Sequence, residues 1–215
     1  VTEAKKLDRR VARTRRALGN AIIELALESG YDKISIRDLT ERADIGYATF
    51  YRHYKSKDEL LTSYLSSILL EIANELNPDV SHYEQYVEMF DKLAKYRDAV
   101  LIGLSLPRDH PAMQPLWQKV FDLVTSLYLA RDESVIPLRV SVNHIIRSVS
   151  EMIRWWLTEG QEYGPEQMAT MQSELIITVI EQVAVVPRDG KNREDAGSHR
   201  KRETNATDAP PRIPN

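Results

Sequence analysis

Apolar residues recur at three- and four-residue spacing along most of the chain, the period of helices with one buried face. Leu18, Ile22, Leu25 and Ala26 make the first stripe, and Gly30 ends it at a C-cap position. A short second helix is predicted from Ser35, an N-cap with Asp38 in the first turn, and Ile36, Leu39 and Ala43 follow at helical spacing. Asp44-Ile45-Gly46 breaks it, because Gly and Asp tolerate positive φ better than most residues. A third helix, Tyr47 to Tyr54, puts Phe50 and Tyr54 on one face and leaves Tyr47, Ala48, Thr49 and Tyr51 largely off it. Ser56 and Glu59 form a capping box for a fourth, which runs to about Leu76 and is stopped by Asn77-Pro78.

Further helices follow. Ser81 and Glu84 cap one carrying Tyr83, Tyr86, Val87, Phe90, Leu93 and Ala94, and a short apolar segment, Ala99 to Leu106, ends at Pro107. Pro111 is expected to start a helix reaching Tyr128; others run from about Leu138 to Leu157, closed by Gly160, and from Pro165 to about Val186. No alternating strand pattern bounded by hairpin turns competes with these. The predicted class is all-α, with an N-terminal three-helix domain and a C-terminal helical bundle. From Pro187 the periodicity is lost in a charged, Pro-tipped stretch expected to be a disordered tail. The expected division is therefore 1–57, 58–186 and 187–215.

Charge sharpens this division. The net charge of −3 is unevenly spread: residues 1–57 hold 13 Lys/Arg against 8 Asp/Glu, whereas residues 58–186 hold 9 against 19. A basic head on an acidic body places any DNA-facing field at one end. Arg9, Arg10, Arg13, Arg15 and Arg16 crowd the entrance to the first helix, as an arm that neutralises phosphates or enters a minor groove would. The absence of cysteine excludes a disulfide framework and a thiolate metal site. No apolar run approaches the ~20 residues of a membrane span, so a soluble, cytoplasmic protein is expected. The five histidines make no HExxH pair, and neither a GxSxG elbow nor a Gly-rich phosphate loop is present. No catalytic residue, metal or cofactor is expected.

Helix, short Gly-containing turn and helix is the helix-turn-helix arrangement, whose second helix enters the major groove by its N-terminal end. With Ile36, Leu39, Ala43, Ile45, Ala48-Thr49-Phe50-Tyr51, His53-Tyr54, Ser56-Lys57 and Leu60-Leu61, the stretch resembles the DNA-binding domain of the tetracycline-repressor (TetR/AcrR) family of bacterial regulators. It departs from the family pattern at Asp44, where a turn glycine is usual, and at Gly46, where a capping serine is usual. IRWWLTEGQEYGPEQM also resembles the C-terminal regulatory domain of one branch of the family.

The resemblance implies a homodimer through the last two long helices, a palindromic operator in double-stranded DNA, and a small apolar effector that releases it. It assigns Ser35 and Arg37 to backbone or base-edge contacts and Tyr47, Ala48 and Thr49 to the groove floor. Tyr51, His53 and Lys57 become phosphate clamps, the last because a cation in the first turn of a helix opposes its dipole. Effector-pocket candidates are Tyr86, Phe90, Trp117, Phe121, Met152 and Trp155, with Tyr83 and Trp156 beside them, since aromatics and methionines line adaptable apolar cavities. The competing reading is a co-activator or partner-controlled regulator with no small-molecule inducer. An enclosed apolar volume of a few hundred Å³ in the body would favour the effector.

Overall fold

A computed structural model of the protein describes residues 2–73 and 81–188, with side chains from Arg9 onward. Helix α1 (Thr2–Ser29) is 28 residues long and buries Leu18, Ala21, Ile22 and Ala26. Against it pack a 3₁₀ turn (Tyr31–Lys33), α2 (Ile36–Arg42), α3 (Tyr47–His53) and α4 (Lys57–Ala73). Leu39, Phe50, Leu60 and Leu61 are fully buried between them. The arginine-rich stretch expected as an arm is part of α1, so Arg9 to Arg16 sit on a helix face and not on an extended strand of chain.

Local chemistry sets the ends of the short helices. Ser35 Oγ accepts from Asp38 N at 3.2 Å and the Asp38 carboxylate accepts from Ser35 N at 2.9 Å, a complete capping box. Asp44 takes the left-handed conformation, φ 51, that turns the chain between α2 and α3. Gly46 is extended, φ −70, and leaves α3 without a side-chain cap. The box expected at Ser56 and Glu59 is half formed. Ser56 Oγ accepts from Glu59 N at 3.1 Å, but the Glu59 carboxylate accepts from Lys55 N at 2.7 Å. The stop expected at Asn77-Pro78, beyond Leu76, lies outside the described residues.

The body comprises α5 (His82–Lys95), α6 (Arg97–Ser105), α7 (Gln114–Leu127), α8 (Leu138–Thr158), α9 (Pro165–Gln172), a π-helical turn (Ser173–Ile177) and α10 (Thr178–Val183). Ser81 and Glu84 cap α5 reciprocally. That helix packs on α9 and α8, where Phe90 meets Trp156 edge-on at 5.3 Å and Met168 and Ala169 close the core. The head's core runs past residue 57: Leu60, Leu61, Leu65 and Ile68 are continuous with Ala99 and Ile102 of α6 and with Ala112 and Met113.

Three expectations fail in the body. The helix expected from Pro111 starts at Gln114, because the preceding residues fold as turns and Pro115 is accommodated in the first helical turn. The chain then leaves the helix at Tyr128, and β1 (Tyr128–Ala130) pairs antiparallel with β2 (Val185–Pro187), Leu129 opposite Val186. The last helix accordingly ends at Val183, and Pro187, expected to begin a disordered tail, closes this ribbon. Two β-branched residues followed by proline favour extended backbone over another helical turn.

Candidate nucleic-acid interface and interior cavity

Phe50 anchors α3 in the core, which turns the opposite face to solvent: Tyr47 is 55% exposed and Tyr51 49%, with Ala48 exposed beside them. Tyr47 and Tyr51 meet edge-on, ring centroids 5.1 Å apart and hydroxyls 3.4 Å apart, and this contact pushes the Tyr51 hydroxyl above its ordinary range. Thr49 is half-buried and its hydroxyl accepts from Arg52 Nη2 at 2.8 Å. His53 is half-buried; burial first, then the charges of Arg15 and Arg52, hold its pKa below the usual 6.5. Arg15 of α1 and Arg52 therefore flank His53 in one basic cluster at the end of α3. Arg52 was absent from the sequence assignment; its place in the last turn of a short helix, where cations complement the dipole, was the available signal.

The α2 candidates sit differently. Arg37 is fully extended into solvent, its side chain 81% exposed, and pairs with Glu41 through Nε at 2.7 Å. Ser35 is committed to the capping box, and its hydroxyl also donates to Asp38 at 2.7 Å. Arg42 is a brace, paired with Glu24 at 3.2 Å and Glu28 at 2.7 Å of α1.

Lys57 is a correction. Its Nζ donates to the carbonyls of Tyr31, Asp32 and Ile34 at 3.0, 3.0 and 3.1 Å, and lies 4.8 Å from the centre of the Tyr31 ring. All three ammonium donors are thereby used. The cation that opposes the α4 dipole answers the carbonyl end of the 3₁₀ turn, not a phosphate. Tyr31 completes the clasp by donating to Asp58 Oδ1 at 2.5 Å.

The body holds a half-open cavity of about 270 Å³ between α4, α5, α6, α7 and α8, lined almost wholly by apolar side chains such as Ile68, Met89, Val120 and Val149. Of the six effector-pocket candidates, Tyr86 and Trp117 are among its lining residues. The other four are not. Phe90 is wholly buried against Trp156, Met152 packs into the core beside it, and Trp155 lies outward against Tyr163 with ring centroids 5.7 Å apart. Phe121 lies beside the α7 stripe of Trp117, Val120 and Val124 that faces inward. Tyr83 and Trp156 are likewise outside the lining. Polar groups at the wall include Tyr86, pushed up to about 12 by burial, and Gln172, 3% exposed with Oε1 unpartnered. Sequence reasoning passed over Gln172 because a lone glutamine inside an apolar stripe carries no motif. Among the described residues no cluster of three or more His, Asp or Glu could hold a metal ion, and no helix is long and apolar enough to cross a membrane.

A long bracing helix, a capped short helix, a tight turn and a second short helix with a bare outer face make up a helix-turn-helix domain. Residues 20–64 match the profile of the bacterial regulatory proteins, tetR family. It is 29% identical over 176 residues to the HTH-type transcriptional regulator YxbF of Bacillus subtilis, covering 77% of this chain but only 45% of that protein's length. A TetR transcriptional regulator from Streptococcus agalactiae superposes with a TM-score of 0.60 at 25% identity, over 80% of this chain and 98% of the other. The regulator FadR from Bacillus subtilis, solved with stearoyl-CoA, shares the fold at 15% identity, with a TM-score of 0.57 over 76% of this chain and 97% of its own.

Proposed function

We propose that the chain is a homodimeric repressor that holds a palindromic operator through α3 of each subunit and releases it when a small apolar effector enters the body. The observation that carries this reading is the outer face of α3, bare and bordered by Arg15, Arg52 and His53. Tyr47 and Ala48 would meet thymine methyl groups, and Thr49 a methyl or an acceptor. Tyr51 and His53 would hold phosphates. Arg37, salt-bridged only at Nε, would read a base edge, and Ser35 would present its backbone to the strand.

The body supports control by a small molecule. Its apolar cavity favours an effector over a purely protein-controlled switch, and the FadR relative's structure with stearoyl-CoA points the same way. Helix α4 joins the two parts, with Leu60 and Leu61 in the head's core and Ile68, Leu69 and Ile72 on the cavity wall. An effector that prefers the α4 position incompatible with operator spacing would release DNA by that difference in affinity and by nothing else.

Selection of bound duplexes from a random pool should return sites with dyad symmetry, half-sites about one helical turn apart. On the winning site Arg37→Ala should cost about 1–3 kcal/mol and relax choice at one base pair. Recovery of sequences without symmetry, or none above background, would overturn the proposal.

A further inference from the structure

The cavity does not end at its apolar lining. Leu104, Trp117 and Ser150 also belong to a polar recess of about 410 Å³ whose wall carries Arg108, Arg147, Glu151 and Arg154, so the two spaces abut. Arg108 is half-buried, its guanidinium 4.1 Å from the centre of the Trp117 ring. Arg147 is exposed, and among the described residues neither it nor Arg108 hydrogen-bonds or pairs with a carboxylate. Arg154 is tethered, donating to the carbonyl of Leu104 and lying 3.5 Å from Glu151. Three guanidinium groups thus share one carboxylate. Burial, and then the charge of Arg147, push Arg108 below its ordinary range. Like charges that face each other partly out of water favour a bound anion, and guanidinium presents paired donors to oxyanions. Trp117 Nε1, buried without a partner, lies at the same junction.

The geometry points to an elongated amphiphile as the ligand, its apolar tail in the cavity and an oxyanion head, carboxylate or phosphate, between Arg108 and Arg147. This assignment rests on the reading of the cavity as the effector site and adds the ligand's charge and orientation. It also accounts for two arginines on an acidic body that no carboxylate answers. A neutral apolar molecule would use the tail space alone.

Calorimetric titration of the whole chain tests it, with dodecanoate, dodecyl phosphate, dodecanol and dodecyltrimethylammonium, each below its micellar concentration. Both anions should bind about tenfold or more tightly than the alcohol, and the cation least. Dodecanoate and dodecyl phosphate distinguish the two head groups by which binds better. Octyl, decyl and dodecyl phosphates should gain about fourfold per methylene until the tail space is full. Arg147→Gln, on the surface and without packing to lose, should remove most of the preference for anions and leave dodecanol binding unchanged; Arg108→Gln should do the same. Equal binding of alcohol and anions, or a preference that survives both substitutions together, would overturn the anion site while leaving the effector cavity standing. Failure of all four amphiphiles to bind would overturn both readings.

Discussion

The Lys57 ammonium closes the carbonyl end of the Tyr31–Lys33 turn and rests on the Tyr31 ring, so two segments some 25 residues apart in sequence are joined at one atom. Lys57→Met keeps the stem and deletes three donors, leaving the carbonyls without them. Urea unfolding should show a loss of about 1–3 kcal/mol. The salt slope of DNA binding should stay at the parent value, whereas deleting a cation that neutralises a phosphate would reduce it by about one unit. His53 makes the opposite case. In the free protein its pKa lies below 6.5, held down by burial and by Arg15 and Arg52, so it is neutral near pH 7. A phosphate beside it would raise that pKa, so the complex would bind the extra proton and affinity should rise as pH falls. Between about pH 7.5 and 5.5 the gain should be roughly threefold to tenfold, and His53→Gln should abolish it. Anisotropy titrations at several pH values decide. The same group destabilises the free fold on acidification, because the unfolded state protonates first and the stability lost appears as pH drops through 6.5.

Helix α1 crosses α4 at Gly19, where a Cβ would stand 2.2 Å from the Tyr64 ring. The small residue sets how closely the two helices approach, and Tyr64 fills the space by laying its ring on bare backbone. Gly19→Ala should therefore destabilise the head by about 1–3 kcal/mol through overpacking, despite alanine's better helix propensity. Pairing it with Tyr64→Leu should recover part of the loss, and a thermal melt of both variants checks this. Such contacts explain what was legible beforehand. Caps and periodicity are written locally, so Ser35, Ser81, Phe50 and the extent of α8 could be read directly from residue order. Lys57 could not, because its partners lie on a turn far back in the chain. The α7 stripe showed which residues are apolar but not which neighbour each faces, and Phe121 was misassigned for that reason. The β1–β2 ribbon joins segments more than 50 residues apart, and three-residue strands leave no alternation to detect.

Across the whole molecule the π-helical turn decides how the last helix is shared. Met168, Ala169, Gln172, Ile176 and Ile177 point inward, while Leu175, Val179 and Val183 stand outward at 69%, 49% and 51% exposure. These three recur every four residues and form an apolar ridge, and on α8 Val140 is likewise 55% exposed. A second copy related by a two-fold axis would bury the ridge against its equivalent and bring two α3 helices to one side of the pair. Replacing Leu175 and Val179 by glutamate should leave the monomer folded, since neither side chain contributes to the core, and circular dichroism should be unchanged. Sedimentation should shift from dimer to monomer at micromolar concentration. Each head would then meet DNA alone, so the number of phosphates neutralised per binding event halves, and with it the slope of log affinity against log salt. Charge added near DNA would alter the slope in any protein. This ridge belongs to the body's last helix, so a halved slope that appears together with the sedimentation change would trace operator grip to pairing. A dimer that survives the double substitution would place the two-fold contact on another face.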